Sequence, residues 1–252
     1  MTTTAATRPR TRRPALDRDV TVELARVENS RFVDLVASLE PEHWTLPTDC
    51  PGWDVRAMVS HVVGAMDSQV SMRELAHQMW AGRRAAAGRA LVDGINEVQV
   101  RDRAGAGPAE LVDRLRRVAP RAARARARNL GLLRGITIAQ DVGGLTERWT
   151  LGYLNDVVYT RDTWMHRVDI SRVTGRPMVL DSEHDGVIVR DVVLEWAARH
   201  GQPYALTLTG AAGGTFGPGH DGPPLTLDAV EFCRVVSGRG AGDGLLAQPV
   251  PF

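Results

Sequence analysis

The segment Arg161-Asp162-Thr163-Trp164-Met165-His166-Arg167-Val168-Asp169 constrains this chain more than any other. On a helix, residues four apart share a face with Cβ atoms about 5–6 Å apart, so Asp162 and His166 stand together. At about 100° per residue, Val158, Tyr159, Asp162, Met165, His166, Asp169 and Ile170 fall on one side. The polar trio therefore lies inside an apolar arc, where ionisable groups are costly unless paired or metal-bound. Any fold of this chain has to bring a partner to that face. Two readings fit: a buried Asp–His hydrogen bond that holds helices in register, or two ligands of one ion.

Helical periodicity fills most of the first two-thirds of the chain. Apolar residues recur at helical spacing over 16–39. Asp54 then stands as an N-cap before the stripe Val55, Met58, Val59, Val62, Val63 and Met66. Pro47, Pro51 and Gly52 mark the turn before it. Further helices are expected over 72–80, 91–100 and 109–130, the last kinked or broken at Pro120. Residues 130–150, Gly-rich with short apolar runs, read as a long loop, and 151–173 as one helix stopped at Gly175 and Pro177. Beyond that the texture changes: a helix over 187–200, a strand over 204–209, a turn-rich stretch, a short strand at 225–227 and a last helix capped by Asp228. The expected architecture is α+β. A basic, disordered tail (1–15) precedes an up-and-down helical bundle (16–178) and a small α/β unit (179–252).

His61 lies at the edge of the 55–66 stripe, where it can face a cavity beside the core. His61, Asp162 and His166 together supply the three N/O ligands of a catalytic divalent metal, most commonly zinc, with a position left open. A pair at i and i+4 on one helix with a third ligand from another is a bundle-core arrangement. The alternative keeps the Asp–His bond and leaves His61 unrelated. Asp169 fits either an acceptor that fixes the His166 tautomer or a surface partner of Arg172. Arg239 fits either a fork for a substrate carboxylate or a surface turn residue. Cys50, Trp44, Trp53 and Trp164 read as structural, and His200 and His220 as surface residues.

Three stretches resemble the mycothiol-dependent maleylpyruvate isomerase family, whose N-terminal part is a DinB-like metal-binding four-helix bundle. Thr48-Asp49-Cys50-Pro51-Gly52-Trp53-Asp54-Val55-Arg56, running to His61-Val62-Val63-Gly64, is similar to its N-terminal signature. Thr150-Leu151-Gly152-Tyr153-Leu154, followed by Arg161-Asp162 to His166-Arg167-Val168-Asp169, resembles the second. Residues 228–232, Ser237-Gly238-Arg239 and Val250-Pro251-Phe252 resemble its C-terminal domain. The resemblance implies zinc held by His61, Asp162 and His166, with mycothiol as the thiol cofactor and a small electrophilic substrate. It implies cis–trans isomerisation if the thiol is later eliminated, or S-conjugation if it stays. The family pattern has glutamate where this chain has Asp162, one methylene shorter.

Bulk properties narrow the partners. A net charge of +1 gives the 252-residue chain no overall bias toward nucleic acid or anionic membrane. It contains no lysine, so all 31 basic residues are arginine, a mark of GC-rich coding. Arg114, Arg116, Arg117, Arg121, Arg124, Arg126 and Arg128 form a dense run that could track phosphates in a non-catalytic, regulatory reading. No aromatics interleave it, and a solvated helix face accounts for it as well. Two cysteines without a CxxC pattern fit a reducing cytoplasm. No window of 18 apolar residues is present for a membrane span, and residues 1–13 lack the apolar stretch of a secretory signal.

Overall fold

In the computed structural model, which describes residues 11–128, 131–142, 144–217 and 222–252, β1 (Thr11–Arg12) leads into α1 (Arg18–Ala37). A 3₁₀ turn (Pro41–Thr45) precedes α2 (Val55–Val70), α3 (Met72–Ala86), α4 (Leu91–Arg101) and α5 (Pro108–Arg128). A short α6 (Gly131–Arg134) and the hairpin β2 (Thr137–Val142) and β3 (Leu145–Thr150) follow. Then come α7 (Leu151–Tyr153), a π-helical turn (Leu154–Val158) and α8 (Tyr159–Thr174). The last part holds α9 (Asp185–His200), β4 (Ala205–Thr209), β5 (Gly214–Phe216), β6 (Pro224–Asp228), α10 (Ala229–Val236) and a 3₁₀ turn (Gly244–Ala247). This is an α+β fold. No helix of the described residues is long and apolar enough to cross a membrane.

The helix ends obey local chemistry. The Asp54 carboxylate accepts from Ala57 N at 2.7 Å and Asp228 accepts from Val230 N and Glu231 N, so both act as N-caps. Gly175, at φ +67°, ends α8 in the left-handed region that side chains avoid. α5 runs through Pro120 without a break; Leu130 of the expected helix lies outside the described residues.

Two apolar cores flank α8. In one, Phe32 and Val36 of α1 meet Met58, Val59, Val62 and Val63 of α2, Leu111, Leu115 and Val118 of α5, and Ile170 of α8. In the other, Trp164, Met165 and Val168 of α8 and Leu24 of α1 pack against Val189, Val192 and Trp196 of α9. Leu206 and Leu208 of β4 and Phe232 and Val236 of α10 complete it. α8 is thus buried on nearly every side, which its apolar positions alone do not reveal.

Three expectations need correction. The supposed loop over 130–150 is largely an antiparallel hairpin, with β2 and β3 paired from Thr137↔Thr150 to Val142↔Leu145. Its strand pattern is short, and its apolar side, Ile138 and Val142, packs with Trp149, Tyr153, Leu154, Val157 and Val158, a cluster assembled by the fold. The tail does not extend to residue 15: Thr11–Arg12 pairs in parallel with Arg148 and Trp149, and Arg12 bonds Glu147. Residues 1–10 lie outside the described residues. The turn-rich stretch after β4 contains β5, which pairs antiparallel to β4, while β6 runs parallel to β4 on its other side.

α3 and α4 approach closely because Gly82 and Gly94 face each other. A Cβ on Gly94 would stand 2.1 Å from the Gly82 carbonyl oxygen. Gly94→Ala is expected to destabilise the fold by about 2–3 kcal/mol in chemical denaturation, the scale of core overpacking. Gly105→Ala, with nothing within 4 Å of the new methyl, is expected to change stability by less than about 0.5 kcal/mol.

Candidate metal centre

Two elements deliver the three expected ligands. α2 presents His61 and α8 presents Asp162 and His166. His61 Nε2 lies 3.3 Å from Asp162 Oδ2, and His166 Nε2 lies 3.3 Å from Asp162 Oδ1. One carboxylate thus spans two imidazoles, and ligand atoms of all three lie within 4.8 Å of one another. The histidines are buried at 5% and 4% exposure, and the Asp162 side chain, at 21%, is the open member of the group. Burial alone would raise the Asp162 carboxyl. The charges of His166 and His61, with their hydrogen bonds, instead hold it well below the usual carboxylate value. Burial likewise disfavours the His166 imidazolium, but the Asp162 charge and hydrogen bonds to Asp162, Asp169 and Cys50 raise it well above its ordinary value.

The donor set suits a divalent metal: two imidazole nitrogens and a carboxylate oxygen, with His61 Nδ1 buried and without a hydrogen-bond partner among the described residues. Behind it stands a supporting chain. His166 Nδ1 meets Asp169 Oδ2 at 3.1 Å, which selects the tautomer that leaves Nε2 facing Asp162. Asp169 is fully buried and is clamped by Arg239, with Nε to Oδ1 at 2.8 Å and Nη2 to Oδ2 at 2.8 Å. Burial would raise Asp169, yet hydrogen bonds from His166 and Arg239 keep it low. The Arg239 fork is therefore engaged by the protein's own carboxylate. At 12% side-chain exposure it is not a surface turn residue.

The turn before α2 supplies what the sequence reading missed. Thr48 N donates to Trp53 O and Trp53 N to Cys50 O, and Gly52 takes φ +80°, a conformation that favours glycine. This fold of the turn lays Trp53 over both imidazoles, with ring centroids 5.0 Å from His61 and 6.1 Å from His166. It also sets Cys50 Sγ 3.5 Å from Arg239 Nη2 and 4.0 Å from Asp169 Oδ2. Cys50 and Trp53 pack against the bundle core, as expected, and also border the site. Their proximity in sequence to the α2 cap was the available signal. Trp44 and Trp164 are core residues as expected. His200 is half-buried against Trp196 at 4.3 Å, not on the surface, and His220 lies outside the described residues. The arginine run on α5 is not one solvated strip: Arg114 pairs with Asp67, and Arg126 is buried.

The protonation states predict a pH signature when a chelator is present. A raised His166 contributes stability fully below its ordinary 6.5, lost as pH rises through the folded value. A depressed Asp162 contributes above its ordinary 3.8, lost as pH falls through the folded value. The pair therefore stabilises most between pH 3.8 and 6.5. The stability advantage of the parent over His166→Gln is expected to shrink as pH rises above 6.5, by at most about 1.4 kcal/mol per pH unit, in urea titrations at successive pH values.

Residues 25–171 match the family described as mycothiol maleylpyruvate isomerase N-terminal domain. Two solved structures are similar over nearly the whole chain. One is described as the mycothiol-dependent maleylpyruvate isomerase, at 17% identity and TM-score 0.57, covering 91% of this chain and 92% of that one. The other is a histidine-to-alanine mutant of a protein so described, at 15% identity and TM-score 0.57, covering 90% and 91%. No curated protein sequence matches this chain.

Proposed function

The chain belongs to the mycothiol maleylpyruvate isomerase family, a family of enzymes, and from that premise we propose that it is a metal-dependent isomerase using mycothiol. The substrate class is a small electrophile with a cis double bond of the maleylpyruvate type. The observation that carries the reading is the convergence of His61, Asp162 and His166 from two helices, each imidazole Nε2 3.3 Å from the shared carboxylate. Two free cysteines, and helices unable to cross a membrane among the described residues, support a cytoplasmic setting.

His61, Asp162 and His166 would hold the metal, zinc by preference of this donor set. A divalent metal bound there lowers the pKa of a coordinated thiol, so that it is a thiolate at neutral pH. The protein's own residues prepare that event. Asp169 fixes the His166 ring, and Arg239 fixes Asp169, so the imidazole does not have to reorganise. Trp53 covers the two rings and limits water at the ligand face. Asp162, the exposed member, marks the side from which small molecules arrive. Addition to the double bond, rotation about the saturated bond and elimination returns the same atoms as the trans isomer. Retention of the adduct would be S-transfer.

Arg239 enters this scheme as a positioning residue acting through Asp169 and His166. Asp169→Asn is expected to weaken metal affinity about 10–100-fold, read in competition titrations with a coloured chelator. His166→Ala is expected to purify without stoichiometric metal and to lose at least roughly a hundredfold in activity. Incubation of the parent protein with mycothiol and maleylpyruvate should change the substrate's absorbance with the thiol conserved. Thiol consumption with conjugates formed would favour the S-transferase. A parent protein carrying no divalent metal would remove the site assignment.

A further inference from the structure

α5 carries a charge pattern that its surroundings do not answer. Arg117, Arg121, Arg124 and Arg128 recur at helical spacing on one face, and all four are exposed. None of them makes an ion pair or hydrogen bond among the described residues, whereas Arg114 and Arg116 of the same helix pair with Asp67 and Asp113. The acids of α5, Glu110 and Asp113, lie in its first two turns, and none follows as far as Arg128. Like charges three and four residues apart repel. The helix dipole favours cations only in the last turn, so it offsets Arg128 and leaves Arg117 and Arg121 unanswered. The net charge of +1 hides this face, because the balancing acids lie elsewhere in the fold.

The neighbours decide what kind of anion fits. Arg121, Arg124 and Arg128 line an open hollow of about 500 Å³ with Gln69, Val70 and Ala125. Two residues past Val70, Met72 opens α3 with 78% of its surface exposed. Four residues past Arg128, Leu132 is 94% exposed, and the chain allows their Cα atoms to stand at most about 14 Å apart. Leu133 and Ile136 are half-exposed beside it, joined by the Ile136 N–H donating to the Leu133 carbonyl at 3.2 Å. A protein interface has an apolar centre and a charged rim. Here the centre is charged and the border apolar. A single-stranded nucleic acid is held by stacked aromatics as well as by phosphate contacts, but these border residues are not aromatic. Trp80, further along α3, is covered by the Arg84 guanidinium at 4.6 Å from its ring centre. Basic side chains with exposed aliphatic ones beside them suit the headgroup layer of a bilayer, where phosphates lie above acyl chains.

We propose that this face docks on an anionic phospholipid surface, with Arg121, Arg124 and Arg128 on headgroup phosphates and Met72 and Leu132 reaching the acyl boundary. The contact is peripheral, since no helix of the described residues crosses a membrane. Such docking does not depend on the isomerase reading.

The test is co-sedimentation of the full chain with vesicles of phosphatidylcholine alone and of phosphatidylcholine mixed with an equal amount of phosphatidylglycerol. The parent is expected to bind the mixed vesicles at least about tenfold more tightly. Most of that preference should vanish between about 0.1 M and about 1 M salt. Arg121→Gln, Arg124→Gln and Arg128→Gln combined should weaken binding roughly 100-fold, at about fivefold for each arginine near the surface. Leu132→Ser, which leaves the charge unchanged, should weaken it about tenfold. All of these positions are exposed, where substitutions change stability little, so the variants keep the fold. Equal binding to the two vesicles, binding to neither, or a triple variant within about twofold of the parent overturns the proposal. So does Leu132→Ser within about twofold of the parent, which would reduce the face to a diffuse counter-ion layer. A salt-dependent shift on DNA without vesicle binding would assign the face to nucleic acid instead. Dimerisation abolished by the triple variant, again without vesicle binding, would assign it to a second copy. Either result also overturns the proposal.

Discussion

The structure depends on one helix being buried on nearly all sides while carrying five ionisable residues in nine positions. Arg161, Asp162, His166, Arg167 and Asp169 of α8 cannot all turn to water, because Trp164, Met165, Val168 and Ile170 on the same helix anchor two different cores. Most of these charges are met from other elements. Asp191 and Glu195 of α9 take Arg161, and Glu28 of α1 with Asp185 of α9 takes Arg167. His61 of α2 meets Asp162, and Arg239 after α10 takes Asp169. Removing one member of such a pair leaves an uncompensated charge in the interior. The network therefore ties the relative placement of these elements to α8, and Asp162 of the metal-type cluster is its most exposed member.

That arrangement explains how a site made of few residues can be held firmly. His61 approaches from α2, whose entry is set by the Thr48–Trp53 turn and the Asp54 cap. His166 is oriented from behind by Asp169, and Asp169 by an arginine that lies 70 residues further along the chain. The C-terminal region thus takes part in the cluster by orienting His166 through Asp169. The likeness to solved structures at 15–17% identity and TM-score 0.57 concerns the fold. Asp162 reaches both imidazoles at 3.3 Å.

Much of the helical framework was legible. The 55–66 stripe, the Asp54 and Asp228 caps and the Gly175 stop are local signals, set by periodicity and by the backbone preferences of a few residues. The hairpin over 137–150 was not, since its apolar side is short and its cover comes from Trp149, Tyr153 and Val157 after the chain has turned. In the cluster, the nearness of Asp162 to His166 was legible from i,i+4 spacing, whereas the contacts of Cys50 and Arg239 with Asp169 were not. Nothing in the local sequence says that a Pro-Gly turn and a residue beyond α10 will meet at Asp169. Arg126 is the sharpest case. In sequence it is one of seven similar arginines, and only packing separates the buried one from the exposed ones.

What the sequence determined by itself was the set of charges that had to be satisfied: an aspartate and a histidine in an apolar arc demand partners wherever the helix goes, because desolvation is local to the group. Which partner each charge received was decided by the tertiary structure. Counter-charges and ligands come from residues tens to more than a hundred positions away, and their distances are properties of packed helices and not of spacing along the chain. The same physics leaves Asp162 open between two histidines and Arg126 buried against Gln69 and Thr160.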